Sequence, residues 1–179
     1  MQQRPSPKGW HRTSPELLAY YESKLLNHME ARFTVCQVHL NSDPKLCGQF
    51  INTMEVISDD ERPKPTIVII HGKYPHTHPN QYIMTQAAGF ASALATFVNI
   101  FQPLSKVCRV LAIDLLGFGR SSKPPFPTGN QGRDAERLFT DSIEAWRLQM
   151  GIEGQIIICA HSFGAYVAMR LIPANQSVL

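Results

Sequence analysis

The stretch QIIICAHSFGAYVAMRL, residues 155–171, decides the fold. Ile156, Ile157 and Ile158 are β-branched and lead into Cys159-Ala160, a run suited to a buried strand. Residues 166–171 are rich in helix formers. Between them lies Ala160-His161-Ser162-Phe163-Gly164-Ala165, a small-x-Ser-x-Gly-small turn. A strand delivered into a helix through such a turn is the nucleophile-elbow pattern. The turn is tight enough that residues beside the serine must be small. It predicts Ser162 at the apex with its hydroxyl exposed, and the Phe163 backbone N–H beside it as one oxyanion donor. Ala160 stands where glycine is usual, and fits at some cost in backbone freedom. A plain strand-to-helix junction with a serine N-cap has the same parts.

Outward from the elbow, the chain alternates strands and helices. Ser14-Pro15-Glu16, a cap followed by proline at the first helical position, opens a helix expected to run to about Glu30. Leu17, Leu18, Tyr21, Leu25 and Met29 fall there at helical spacing. Residues 33–40 and 49–57 read as an antiparallel strand pair around a turn at 41–48. Residues 66–72, TIVIIHG, form a continuous apolar run of the kind buried on both faces of a parallel sheet. A helix over 87–101, a strand over 106–114 (KVCRVLAID), a glycine-rich loop over 115–122 and a helix over 133–150 complete the series. The last helix has Ala135, Leu138, Phe139, Ile143, Trp146 and Met150 at helical spacing. This order predicts an α/β fold with a doubly wound, mostly parallel sheet and an antiparallel N-terminal strand pair.

Composition narrows the classes. The chain has 179 residues and a net charge of +3, too small a charge to argue for nucleic acid. The cysteines at 36, 47, 108 and 159 have no metal-ligand spacing. Cys36, Cys108 and Cys159 fall in or beside expected strands and read as small buried hydrophobes. The N-terminus has no apolar core of a secretory signal, and the longest mostly apolar stretch, 87–101, is too short to span a bilayer. The expectation is a soluble, intracellular protein of a reducing compartment. No G-x-G-x-x-G opens a helix after the first parallel strand, which argues against a dinucleotide-binding domain.

Taken together, HG, VLAIDLLGFGRSSKP, DSIEAWR and AHSFGAYVA resemble the α/β-hydrolase fold family. The strings DLLGFGRSS (114–122) and Ser142-Ile143-Glu144-x-Trp146-Arg147 are more selective. They are similar to the subfamily of lysophosphatidic acid acyltransferases, N-acyl phospholipid lipases and the lipid-droplet lipase co-activator. The resemblance implies Ser162 as catalytic nucleophile, with oxyanion donors from the Phe163 backbone and from the loop that starts at Gly72. Ala160, His161 and Gly164 are the structural residues of the elbow, and Asp114 is a loop-capping carboxylate. A dehalogenase-type relative would carry aspartate at 162. The co-activator branch carries asparagine there, so serine sets this chain on the catalytic side. The implied substrate is a lipid or lysophospholipid acyl ester, with acyl-CoA as the acyl donor of a transferase. The implied location is cytoplasmic, with peripheral contact to a lipid droplet, endoplasmic reticulum or mitochondrial membrane, for which Trp10, Tyr20 and Tyr21 are the aromatic candidates. No cofactor or metal is implied.

Two departures from that pattern stand out. Residues 73–86 interrupt the short glycine-rich loop expected after His71-Gly72. They read as translated intron sequence, because Gly72-Lys73-Tyr74 is encodable by a splice-donor-like string, or as an extended surface loop. His76 and His78 within it lack further metal ligands. Second, the triad order Ser, acid, His sets the acid and histidine after the elbow, whereas this sequence stops at Leu179. Residues 1–32 are therefore expected to be a tail and helix. Residues 33–179 are expected to be the N-terminal half of a hydrolase core, truncated and inactive alone. The alternative reading is a non-catalytic pseudo-hydrolase that binds lipid or regulates a lipase.

Overall fold

The computed structural model describes residues 14–57, 60, 62–72, 93–125 and 131–172. Helix α1 (Pro15–Leu26) is followed by strands β1 (Phe33–His39), β2 (Phe50–Val56) and β3 (Thr66–Ile70). Then come α2 (Val98–Ser105), β4 (Arg109–Ile113), α3 (Gln131–Gln149), β5 (Ile156–Ala160) and α4 (Phe163–Leu171). The sheet order is β1-β2-β4-β3-β5. β1 pairs antiparallel with β2, and β2 antiparallel with β4. β3 lies parallel between β4 and β5, in the register Ile70 opposite Ile113 and Ala160.

Strand periodicity sorts the core into two layers. Ile67 and Ile69 of β3 and Val110 and Ala112 of β4 face α1 and α2, where Leu26, Leu94 and Phe101 join them. Val68 and Ile70, with Leu111 and Ile113, face the opposite way and meet Phe139, Ile143 and Trp146 of α3 and Val167 of α4. The continuous apolar runs of β3 and β4 are thus covered on both faces, as a parallel sheet requires. The selective string in α3 is a docking stripe. Ser142 and Trp146 are fully buried, and the Trp146 indole donates to Thr53 Oγ1 of β2 at 2.9 Å.

Several boundaries differ from the sequence expectation. α1 stops at Leu26, where Ser14 caps its start and Asn27 its end. His28 and Met29 then tighten into bonds to Leu25 and Leu26. Its buried stripe is Leu18, Glu22 and Leu26, while Tyr21 and Leu25 are exposed. Within the expected 87–101 helix, residues 94–97 form a 3-10 turn and the α-helix continues to Ser105. Cys36 is exposed, because it alternates with half-buried Phe33 and Val35 on the outermost strand; Cys108 is buried. Residues 73–86, with His76 and His78, and also Trp10, lie outside the described residues.

Candidate active site

β3, β4 and β5 end at the same edge of the sheet, with His71-Gly72, Asp114 and His161-Ser162 just beyond them. In an open α/β sheet, sites form outside the carboxyl ends of the parallel strands.

Ser162 joins β5 to α4 with φ 52° and ψ −119°. Among the described residues it is the only non-glycine residue with positive φ. Such a backbone costs on the order of 1–3 kcal/mol and persists only where its surroundings impose it. Here they do. A Cβ on Gly72 would overlap the His161 carbonyl and come within 2.6 Å of Ser162 Cβ. A Cβ on Gly164 would overlap the His71 carbonyl and lie 2.9 Å from the Ile70 oxygen. Both glycines are needed because the end of β3 is pressed against the turn. The His161 N–H donates to Ile70 O at 3.1 Å, and the Gly164 N–H to His161 O at 2.9 Å.

This geometry separates the elbow from a plain capped helix. An N-cap serine has extended backbone and bonds the first turn through its side chain; Ser162 does neither. Phe163 is the first residue of α4, so its N–H has no intrahelical acceptor and sits at the positive end of the helix dipole. Ala160 is half-buried at the end of β5. His161 meets Phe97 edge-on, with ring centroids 6.5 Å apart. Phe163 also meets Phe118 and Phe139 at 6.0 and 5.2 Å, which gives the elbow an apolar flank.

Beside the elbow lies a buried polar network that sequence reasoning saw only in part. Asp114, fully buried, accepts N–H bonds from Leu94 (2.7 Å) and Arg120 (2.9 Å) and from the Asn52 amide (2.8 Å). It therefore caps its glycine loop, as expected, and also anchors the start of the 3-10 turn before α2. Gly119 fits this loop because a Cβ there would collide with the Asp114 carboxyl. Burial raises the Asp114 carboxyl above its ordinary range, and the donated bonds oppose that. The Arg120 guanidinium pairs at 2.7 Å with Glu22 of α1, which burial likewise raises. His71 is buried. Its Nε2 accepts the Leu115 N–H at 3.1 Å, so the proton resides on Nδ1, which donates to Gly72 O at 3.2 Å. Burial lowers its pKa to about 4. Glu22 and Asn52 are the members sequence reasoning missed. One signal existed for Glu22: a carboxylate midway between Leu18 and Leu26 at four-residue spacing.

Among the described residues, no group of three or more histidine, cysteine or carboxylate side chains could hold a metal ion. No helix among them is long and apolar enough to cross a membrane.

Comparison with known proteins agrees with this fold. Over 177 residues the chain is 29% identical to a 1-acylglycerol-3-phosphate O-acyltransferase of Arabidopsis thaliana, covering 93% of this chain and 37% of that protein. Over 170 residues it is 29% identical to a (lyso)-N-acylphosphatidylethanolamine lipase of Bos taurus, covering 90% and 42%. The chain thus spans about two-fifths of the length of these relatives. The crystal structure of a membrane phospholipase A, a bacterial virulence factor, superposes with a TM-score of 0.55 at 20% identity, covering 88% of this chain and 40% of that one. Residues 67–179, from β3 through the elbow, match the alpha/beta hydrolase family profile. With the strained serine turn, the glycines pressed on it and the sheet order as described, this chain belongs to the alpha/beta hydrolase family.

Proposed function

We propose that this chain carries the nucleophile of a serine-dependent lipid ester hydrolase or acyltransferase acting on (lyso)phospholipid-type acyl esters. The observation that carries the reading is Ser162, held at positive φ between β5 and α4 with Gly72 packed against it. Ser162 Oγ attacks the acyl carbon, and its proton passes to a histidine base, which this motif orders after the elbow. The charge on the carbonyl oxygen is met by the Phe163 N–H and by the backbone N–H of Gly72. The alcohol of the ester, or the coenzyme A thiol where acyl-CoA is the donor, leaves with a proton, and the acyl-serine ester is resolved by water in a hydrolase. In a transferase, a lysophospholipid hydroxyl takes the acyl group, and acyl-CoA is the fitting donor. The names of the relatives, a lysophosphatidic acid acyltransferase and an N-acyl phospholipid lipase, support the substrate class. Lipid of this kind is presented at a membrane or droplet surface, so peripheral contact with such a surface follows.

The test is covalent labelling by a fluorophosphonate, together with fatty-acid release from lysophosphatidylethanolamine in phosphatidylcholine vesicles, using this chain and its Ser162→Ala variant. Labelling that vanishes in the variant supports the reading. Equal labelling of both would move the nucleophile to another residue, and no labelling of either with vesicle binding retained would favour the non-catalytic lipid-binding reading for this chain by itself.

A further inference from the structure

We propose that Glu22, on the N-terminal helix and outside the stretch that matches the family, is a positioning residue of the Ser162 site. This rests on the reading of Ser162 as the nucleophile. Glu22 is 4% exposed, and it lies in the middle of the stripe by which α1 packs on the core. A carboxylate there is costly unless it is paired. Its partners are the Arg120 guanidinium at 2.7 Å and the Asn52 amide at 3.5 Å.

Both partners also hold Asp114. The Asn52 amide donates to Asp114 Oδ2 at 2.8 Å, and the Arg120 backbone N–H donates to the same oxygen at 2.9 Å. Glu22 therefore fixes Arg120 by its side chain while Asp114 fixes it by its backbone. The glycine loop is pinned at one residue from two sides. Ser121 continues the pinning, donating to Asp114 O at 2.6 Å and accepting the Asn52 N–H at 2.8 Å.

Asp114 in turn governs both segments that flank residues 73–92. Its Oδ1 accepts the Leu94 N–H at 2.7 Å and lies 3.8 Å from His71 Nε2. The neighbouring Leu115 N–H holds the same Nε2. The other nitrogen of His71 donates to the Gly72 carbonyl, and Gly72 is the residue whose backbone abuts Ser162. Glu22 thus reaches the nucleophile in a series of direct contacts: Arg120, Asp114 and Leu115, His71, Gly72, Ser162. Loss of its charge frees Arg120 and lets the end of β3 shift against the elbow. A small displacement of an oxyanion donor is enough to cost reactivity.

The alternative is that Glu22 only fastens α1 to the core. Four variants of the chain separate the two: Glu22→Gln, Arg120→Gln, their double variant, and Leu26→Ala, which loosens the same helix without touching the network. Two readouts apply to each, the fluorophosphonate labelling rate and the amide hydrogen exchange of Leu94 and Leu115. We expect labelling to fall about tenfold or more in Glu22→Gln. The double variant should be no worse than Arg120→Gln alone, and exchange at Leu94 and Leu115 should rise in all three. Leu26→Ala should lower the melting temperature while leaving both readouts near those of the unaltered chain at a temperature where it is folded. Equal effects of Glu22→Gln and Leu26→Ala would overturn the proposal, as would unchanged exchange at Leu94 in Glu22→Gln. If the unaltered chain does not label at all, the nucleophile reading fails. The exchange data then still decide whether Glu22 sets the geometry of the network.

Discussion

At the scale of the residue, Ser162 stores backbone strain at φ 52°. Replacing it with glycine removes a backbone cost on the order of 1–3 kcal/mol and adds back about 0.4–1 kcal/mol of unfolded-state freedom. Ser162→Gly should therefore be about 1 kcal/mol more stable than the parent in urea denaturation, while losing all fluorophosphonate labelling. A less stable variant would mean that the turn is not strained. His71 gives a second residue-scale prediction. Its pKa is lowered from 6.5 to about 4, because burial disfavours the cation by more than the bond to the Gly72 carbonyl favours it. The unfolded chain then binds more protons between those values, so the His71 contribution is complete above pH 6.5 and is lost as pH falls toward 4. The full span amounts to about 3 kcal/mol. Glu22 and Asp114, raised by burial, act with the opposite sign. The difference between the parent and His71→Gln therefore isolates the effect: the parent's stability should fall more steeply than the variant's from pH 6.5 to 4.5. Parallel curves would refute the lowered pKa. In sequence, His71 was legible only as the residue before an oxyanion glycine. That its imidazole stays neutral depends on burial beside Leu115, more than forty residues later, which no local pattern links to it.

At the scale of the element, strands were the most readable parts. β3 and β4 are apolar on both faces, and only a doubly covered sheet accepts such runs. The elbow was readable for the same kind of reason, since Gly164 and the small residues around Ser162 answer one steric demand. α1 was harder. Its Tyr21 and Leu25 fit helical spacing, yet the buried stripe is Leu18, Glu22 and Leu26, because the partner of Glu22 lies in a distant loop. The start of the 3-10 turn before α2 was illegible too, since the Leu94 N–H is capped by Asp114, just beyond β4. α3 tests how such distant polar contacts contribute. The Trp146 indole donates to Thr53 Oγ1, and that hydroxyl donates at 3.3 Å to Ile51 O. Trp146→Phe leaves a cavity and a buried hydroxyl with one acceptor site unmet, and should cost about 2–4 kcal/mol. Thr53→Val strands the indole N–H instead. In urea denaturation the double variant should cost less than the two single losses added, because each single change orphans the other's partner. Strict additivity would show that the bond contributes nothing.

At the scale of the whole molecule, the two ends of the sheet differ in composition. β1 forms one edge and carries exposed Thr34, Cys36, Gln37 and His39, a mostly polar series that discourages pairing. β5 forms the other, and among the described residues its only neighbour is β3. There Ile157 is 48% exposed, and on the adjoining helix α4 Tyr166, Met169 and Ile172 beyond it are 45%, 74% and 55% exposed. Unpaired backbone beside an apolar helix face is a template for association with another chain. This 179-residue chain should therefore sediment as concentration-dependent oligomers at micromolar levels and above. Lysine at both Ile157 and Met169 should shift it toward the monomer, since a charge on the edge strand and one on the helix face each oppose stacking. The substitutions fall at exposed positions, so the melting temperature should change little. Self-association that survives both lysines would move the contact to the β1 end or to residues outside those described. A parent chain that is monomeric throughout would mean that the β5 edge already has a second partner within the molecule, and the exposed apolar face of α4 would then belong to its interior.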